Sequence, residues 1–317
     1  MLARVAENIY WLSRYLERAE NTVRLIEKHS AMLLDVSDRQ EHGDWIPLVR
    51  INALDKEFAE THSTATESSV CHFLLADEDN PGSLHNIFIA IRNNLRSCRD
   101  ILPRSSYEAT NSTCRFVRDN VSHTTNASQR NAFLSSVKTR LLAISADIDS
   151  NMYHDIAFRF MGIGRSIERA DMTSRIIDVQ SSKLAYDREA ADENLALQQQ
   201  RWVTVLGSLS ALQMYRQNVH RPINGQDTLR FLLHNTKLPR SYLFCINELD
   251  SSLSEFNNHR VPRAATDAMR QQLLNVDLAV LADQPVQLHQ FIDTLQMGMQ
   301  NVAKAIADTY FLSQKDT

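Results

Sequence analysis

Apolar residues recur at steps of three and four along two long stretches, one beginning at Leu2 and the other near Tyr153. The first series is Leu2, Val5, Ile9, Leu12, Leu16, Ala19, Val23, Ile26 and Leu33. The second is Tyr153, Ile156, Phe160, Ile163, Ile167, Ala170, Ile177 and Leu184. Because an α-helix has 3.6 residues per turn, each series lies on one helix face, and the pattern predicts two long amphipathic helices.

Further helical segments lie between and after the two long ones. We predict them at 45–60, 65–76, 81–102, 105–121, 126–150, 195–217, 225–235, 239–257, 263–281 and 285–313. Turn signals such as Asn80-Pro81-Gly82 and Pro239 separate them. No sustained stretch alternates apolar and polar residues as a strand would, so the sequence predicts an all-α fold.

The two halves of the sequence match each other. The matches, in chain order, are residues 14–24 with 165–175, Trp45-Ile46 with Trp202-Val203, and Phe73-Leu74-Leu75-x5-Pro81-x-Ser83 with Phe231-Leu232-Leu233-x5-Pro239-x-Ser241. Their offsets are 151, 157 and 158 residues. Three collinear matches predict an internal duplication, in which 1–150 and 151–317 are helical repeats of about six helices each. We expect a pseudo-twofold helical bundle that forms one compact domain.

The composition narrows the class of fold. The 317 residues include only 7 Gly and 7 Pro, against roughly 22 and 16 at average usage. Rossmann-like and β-rich folds use Gly and Pro in phosphate loops and turns, so this deficit disfavours them. The 34 basic and 38 acidic residues give a net charge of −4 and no reason to expect nucleic-acid binding.

Cysteine usage and hydropathy indicate the compartment. The four cysteines form no CxxC pair, so we predict buried thiols in a reducing environment. Charged residues from Arg4 onward interrupt the N-terminal segment, which therefore has no signal-peptide core. The longest uncharged apolar stretch, 202–215, is too short and too polar to span a bilayer. We therefore expect a cytoplasmic protein without membrane contact.

A polar line follows the apolar stripe of each long helix. Together the two lines give a candidate polar site of Arg14, Glu17, Arg18, Glu20, Arg24, Arg165, Glu168, Arg169, Asp171 and Arg175. One interpretation is a structural network of buried Arg–carboxylate pairs. The other is a site for Mg²⁺ or Mn²⁺, because these ions prefer carboxylate oxygens. Its ligands would be Glu17, Glu20, Glu168 and Asp171.

Three arginines are aligned on the helix predicted after Pro81. Arg92, Arg96 and Arg99 stand at i, i+4 and i+7, and aligned cations repel one another unless acidic side chains or an anion face them. Pairing with acidic residues, an anion site and a solvated face are all open interpretations. If these arginines share a cavity with Glu17 and Glu20, that cavity could hold a zwitterionic peptide or a metal-bound phosphate.

The chain resembles the bacterial alpha-E family, a helical domain of unknown function. The segments that carry the resemblance are residues 2–22, Arg92-x-Asn94-x-Arg96-x-x-Arg99-Asp100, residues 160–173 and Pro239-Arg240-Ser241. The resemblance implies a genomic association with circularly permuted ATP-grasp ligases and transglutaminase-like proteases, and hence a role in peptide or amide-bond metabolism.

Three functions remain open at this point. The leading hypothesis is a helical partner that holds an ATP-grasp amide ligase or presents a substrate to it. The alternatives are an enzyme that acts on peptides or amides through a carboxylate-bound divalent metal, and a purely structural homo-oligomer. The family resemblance assigns no catalytic residue, so the sequence leaves open whether the chain is an enzyme.

Overall fold

The fold consists of helices joined by short turns. The computed structural model describes residues 2–35, 44–124, 126–188 and 195–311, and these contain fifteen α-helices and no strand. The helices are α1 (Ala3–Asp35), α2 (Ile46–Ile51), α3 (Asp55–Thr61), α4 (Glu67–Leu75), α5 (Leu84–Ser97), α6 (Arg104–Asn120), α7 (Ala127–Asn151), α8 (Ile156–Arg188), α9 (Leu195–Ser208), α10 (Leu212–Asn218), α11 (Gly225–Leu229), α12 (Tyr242–Ser254), α13 (Arg260–Leu274), α14 (Leu278–Ala282) and α15 (Pro285–Tyr310). The all-α prediction is confirmed.

Both predicted long helices form. α1 and α8 each contain 33 residues, and their apolar stripes are buried from Ile9 to Ile26 and from Phe160 to Ile177. The pattern also places Leu33 and Leu184 on these stripes, and their side chains lie outside the part of the chain that the structure describes. Neither these helices nor any other described helix is long and apolar enough to cross a membrane.

Backbone contacts divide the chain into two units, Met1–Gly164 and Arg165–Thr317. In the first unit α1 packs against α5 and α7, and α6 packs against the same two helices. In the second unit α13 packs against α12 and α15, while α11 packs against α14. Each unit therefore buries the apolar faces of its own helices.

Two segments predicted as single helices are broken. Segment 45–60 forms α2 and α3, and segment 195–217 forms α9 and α10. The breaks lie at Ala53 and Ser210, each of which has a φ of 54°. A residue in this left-handed conformation cannot continue a right-handed helix. Neither break contains Gly or Pro, so the pattern gave no sign of it.

Other helix ends also differ from the prediction. Segment 81–102 is helical only over Leu84–Ser97, and segment 263–281 is divided between α13 and α14. Within 225–235, α11 passes into a π-helical turn at Arg230–His234. The remaining described ends agree with the prediction to within a few residues. Residues 312 and 313, predicted to end the last helix, lie outside the described residues.

The turns of the second unit repeat those of the first. Ser83 and Ser241, which the sequence match pairs, cap α5 and α12, and each hydroxyl accepts from the amide three residues on, at 3.2 and 3.1 Å. Edge-to-face ring pairs also correspond: Phe58 with Phe73 at 5.1 Å between centroids, and Tyr215 with Phe231 at 5.3 Å. This shared local geometry agrees with the sequence match between the halves, and the duplication itself stays a prediction.

The first turns of α8 approach α1 closely and reciprocally. Ser13 Oγ donates to the carbonyl of Met161 at 2.5 Å. A Cβ placed on Gly164 would lie 2.5 Å from the carbonyl oxygen of Tyr10. At the 151-residue offset Ser13 corresponds to Gly164 and Tyr10 corresponds to Met161. Each of the two contacts therefore joins the counterparts of the residues that form the other. This crossing lies within the first unit, and it contains a residue without a side chain at its tightest point.

Candidate functional site

The polar line on α1 is built into the interior. Glu17, Glu20 and Arg24 are each less than a tenth exposed. Arg24 donates from Nη1 to Oε1 of Glu20 at 3.1 Å and from Nη2 to Oδ1 of Asn21 at 2.5 Å. A buried guanidinium requires such acceptors, because an uncompensated buried charge costs about 3–5 kcal/mol. These contacts support the structural interpretation of this part of the line.

Arg14 and Arg18 lie at the half-buried edge of the same line. The guanidinium carbon of Arg14 lies 5.1 Å from the ring centroid of Trp11, and Nη1 donates to the hydroxyl of Tyr10 at 3.1 Å. The guanidinium of Arg18 lies 5.7 Å from the ring centroid of Tyr15. Each exposed cation–π contact of this kind contributes about 0.5–1 kcal/mol. The two arginines therefore pack along aromatic faces of their own helix.

The line on α8 is buried to different depths. Glu168 is 2% exposed, whereas Asp171 is partly buried and accepts from Arg175 Nε at 2.8 Å. Arg165 and Arg169 are half-buried. The structural interpretation requires four buried acidic residues, and Glu17, Glu20 and Glu168 are buried whereas Asp171 is only partly buried.

The three arginines after Pro81 do not form one helix face. α5 ends at Ser97, so Arg99 lies in the following turn, and both Arg96 and Arg99 are exposed. Arg92 is half-buried and lines a cavity of about 260 Å³. Glu17 and Glu20 are buried while Arg96 and Arg99 face solvent, so these positions give no support to the common cavity that the sequence analysis left open.

A cavity of about 400 Å³ lies between α4, the turn at Val121–His123 and α7. We call it the Arg130 groove, and its lining residues are Ser68, His72, Ala76, Asp77, Glu78, Ser122, Thr124 and Arg130. The lining carries one buried cation, two carboxylates and several hydroxyl groups. The groove therefore combines both signs of charge, at residues that the sequence analysis did not single out.

Arg130 occupies an unfavourable position for a cation. It is 2% exposed and lies in the first turn of α7, where the helix dipole disfavours positive charge. Its Nη2 donates to Oε1 of Glu67, whose side chain is 47% exposed. Its Nε is buried and has no hydrogen-bond partner among the described residues. A buried donor without an acceptor costs about 1–3 kcal/mol, so this arginine is held at some expense to stability.

Depressions occupy matching positions in the second unit. One depression of about 350 Å³ is lined by Arg230, His234 and Asp277. A second, of about 440 Å³, is lined by Arg230, His234 and Lys237 among others. At the 158-residue offset, Arg230 takes the place of His72, and Leu288 takes the place of Arg130. The deeply buried cation therefore belongs to the groove of the first unit.

A carboxylate–histidine cluster in the second unit was not identified from the sequence. Nδ1 of His289 lies 2.5 Å from Oδ1 of Asp178, and Nε2 lies 3.6 Å from Oδ2 of Asp293. One potential metal-ligand atom from each residue falls within 4.8 Å of the others. The hydrogen bond that His289 donates to Asp178 raises the pKa of His289 above its ordinary value. The His289-x3-Asp293 spacing is visible in the sequence, but Asp178 is 111 residues from His289.

The predicted burial of the thiols is confirmed. All four cysteines are buried and none forms a disulfide. Burial raises the pKa of Cys71, Cys98 and Cys114 to about 12, because a thiolate loses its hydration in an apolar environment. These three thiols are therefore poor nucleophiles at neutral pH.

Comparison with known proteins decides the family. Residues 1–311 match the Alpha-E family, which is described as a predicted alpha-helical domain with a conserved ER motif. The chain belongs to the Alpha-E family. Uncharacterized proteins of Mycobacterium bovis and Mycobacterium tuberculosis are 22% identical over 269 residues, which cover 80% of this chain and 30% of each relative. The matching segment therefore covers less than a third of the length of each of those relatives. No solved structure matches this Alpha-E chain.

The Alpha-E chain contains the ER dipeptide twice. The two occurrences are Glu17-Arg18 on α1 and Glu168-Arg169 on α8, which are 151 residues apart. In both, the glutamate is buried and the arginine is half-buried. Each dipeptide therefore lies at the boundary between the buried face and the exposed face of its helix. This position favours a role in folding.

Proposed function

We propose that this Alpha-E chain is a cytoplasmic helical partner that presents a zwitterionic ligand to an ATP-grasp amide ligase. The observation that carries the proposal is the Arg130 groove, whose volume of about 400 Å³ lies in the range of small-molecule sites. A carboxylate of the ligand would bind beside Arg130, and its ammonium group beside Asp77 and Glu78. An amino acid or a short peptide has both groups and is a natural substrate class for amide-bond formation.

The family context supports a role beside another protein. The alpha-E resemblance implies an association with circularly permuted ATP-grasp ligases and transglutaminase-like proteins. In the mycobacterial relatives the matching segment is 30% of a longer chain, so there it is joined to other sequence. By contrast, the Mg²⁺ or Mn²⁺ alternative gains no support at Glu20 and Asp171, since each binds an arginine.

Ligand binding can be measured on the isolated chain. We expect the dipeptide Ala-Ala to raise the melting temperature, since a ligand at one hundred times its Kd stabilises the folded state by about 2.7 kcal/mol. N-acetyl-alanine lacks the ammonium group and alanine amide lacks the carboxylate, so each should bind more weakly. Failure of Ala-Ala to shift the melting temperature would contradict the assigned ligand class.

Variants place the ligand in the groove. Arg130→Met retains side-chain length but removes the charge, and it should abolish the shift. Arg140→Met is the matched control, because Arg140 lies on the same helix and packs on Phe116 at 4.5 Å, outside the groove. Glu67→Gln should strengthen binding, because it leaves the guanidinium of Arg130 available to the ligand carboxylate. Unchanged binding in both Arg130→Met and Glu67→Gln would exclude the groove.

A further inference from the structure

The cluster of Asp178, His289 and Asp293 connects two helices of the second unit. Asp178 belongs to α8, whereas His289 and Asp293 lie one turn apart on α15. The side chains are 19%, 47% and 50% exposed, so solvent ions reach them. We infer that this cluster binds one divalent transition-metal ion, with Zn²⁺ as the representative of its class, through Nε2 of His289 and a carboxylate oxygen of Asp293.

The two nitrogens of His289 have separate roles in this site. Two ligands at about 2.1 Å from a tetrahedral Zn²⁺ lie about 3.4 Å from each other. The observed 3.6 Å between Nε2 and Oδ2 of Asp293 is close to that separation. Asp178 lies 2.5 Å from Nδ1 and accepts a hydrogen bond from its N–H, which leaves the lone pair of Nε2 for the metal. A carboxylate behind a ligating histidine commonly fixes its tautomer and ring orientation.

The donor set determines which ions fit. Mg²⁺ and Ca²⁺ prefer sites made wholly of oxygen, whereas an imidazole nitrogen with a carboxylate suits Zn²⁺ and its neighbours in the first transition row. Water completes the coordination, since both ligands are half-exposed, so the ion retains open positions. Asp178 on α8 orients His289 on α15 by its hydrogen bond. Metal binding to His289 would therefore also hold α8 to α15 within this unit.

The first unit provides an internal comparison. At the offsets of the duplication, Glu27 takes the place of Asp178, while Asn131 and Ser135 take the places of His289 and Asp293. Glu27 pairs with Lys138 there. No histidine stands at the corresponding position, so the inference predicts one metal ion per chain and not two.

Calorimetric titration of the full chain, freed of metal by a chelator, with ZnCl₂ tests this site. We expect one equivalent to bind, and His289→Ala and Asp293→Asn to weaken affinity at least about tenfold each. Asp178→Asn should weaken it by about 10- to 100-fold, the usual effect of losing an orienting partner. His220→Ala removes an exposed histidine outside the cluster and should bind as the parent does. The absorption spectrum of bound Co²⁺ should change in His289→Ala but not in His220→Ala.

The same titration can overturn the inference. It is wrong if the parent binds no Zn²⁺, or if His289→Ala and Asp293→Asn keep the parent's affinity and stoichiometry. Circular dichroism checks that the variants fold, and His289→Gln supplies a closer match in size. The site does not depend on the Arg130 groove, so Arg130→Met should bind Zn²⁺ like the parent whatever happens to the proposed ligand.

Discussion

The hydroxyl of Ser13 donates a hydrogen bond of 2.5 Å to the main-chain carbonyl of Met161. The sequence match pairs these residues with Gly164 and Tyr10, which meet at the same crossing. A small residue therefore faces a backbone carbonyl on each side. Close approach of two helix backbones allows only such residues at the contact, and this makes the crossing sensitive to a single added methyl group.

Gly164→Ala should destabilise the chain by about 1–3 kcal/mol, the usual cost of overpacking. The added Cβ would lie 2.5 Å from a backbone oxygen that cannot move without displacing α1. Gly207→Ala on α9 is the control, because a Cβ there has no neighbour within 4 Å. It should be neutral or stabilising, since alanine favours helix formation. Urea unfolding of both variants measures the difference, and equal stabilities would contradict the close crossing.

Glu20→Ala should reduce the free energy of unfolding by about 3–5 kcal/mol, because it breaks the buried ion pair between Glu20 and Arg24. Arg24→Met alone should also be costly, since it breaks the same pair from the other side. The double variant should cost less than the sum of the two. A double-mutant cycle measured by chemical denaturation gives this coupling, and additive effects would show that the two residues do not act as a pair.

Tyr242→Phe should destabilise the second unit by about 1 kcal/mol. The fully buried hydroxyl donates to the carbonyl of Leu295 at 2.7 Å, and burial raises the pKa of Tyr242 well above its ordinary value. Tyr153→Phe removes a hydroxyl from a residue that is 84% exposed and should have no effect. Thermal unfolding compares the two, and a neutral Tyr242→Phe would mean that this hydrogen bond contributes nothing net.

Asp250 should make stability depend on acid pH. Hydrogen bonds from Arg263, at 2.7 Å from Nε, hold the pKa of Asp250 below its ordinary value. Its stabilisation is therefore complete above the unfolded pKa of about 3.9 and is lost as pH falls through the lower folded value. Asp250→Asn should cost about 1 kcal/mol at neutral pH, and this difference should vanish in strong acid.

Asp55→Asn is the control for that pH series. Asp55 pairs with Arg50 at 3.4 Å, but both side chains are half-exposed, so the pair should contribute only a few tenths of a kcal/mol. Denaturation curves from neutral to acid pH test both variants. A deficit in Asp250→Asn that persists unchanged in acid would indicate a packing effect and not the ion pair.

The helices could be predicted more fully than their breaks. Apolar spacing located α1 and α8 because burial of one face alone determines a long amphipathic helix. Spacing contains no information on the left-handed turns at Ala53 and Ser210, where tertiary packing holds ordinary residues in an unfavourable conformation. For the same reason Arg99 was assigned to a helix face although α5 ends before it.

The candidate sites depend on contacts that a single sequence does not encode. Each polar line lies within a single helix, so residue spacing alone could show that Glu20 and Arg24 are neighbours. Arg130 and Glu67 are 63 residues apart, and neither belongs to a recognisable motif. Chain folding creates the groove between α4 and α7, so the sequence alone could not show which charged residues line it.

Presentation of a zwitterionic ligand to a ligase is tested most directly by the rate of ATP-dependent amide-bond formation. The assay combines an ATP-grasp ligase from the same genome and subsaturating Ala-Ala with the parent chain, Arg130→Met or Arg140→Met. The parent and Arg140→Met should form a complex with the ligase and raise the rate, whereas Arg130→Met should form the complex without raising it. A ligase that forms no complex with the chain and works equally well without it would contradict the proposed function.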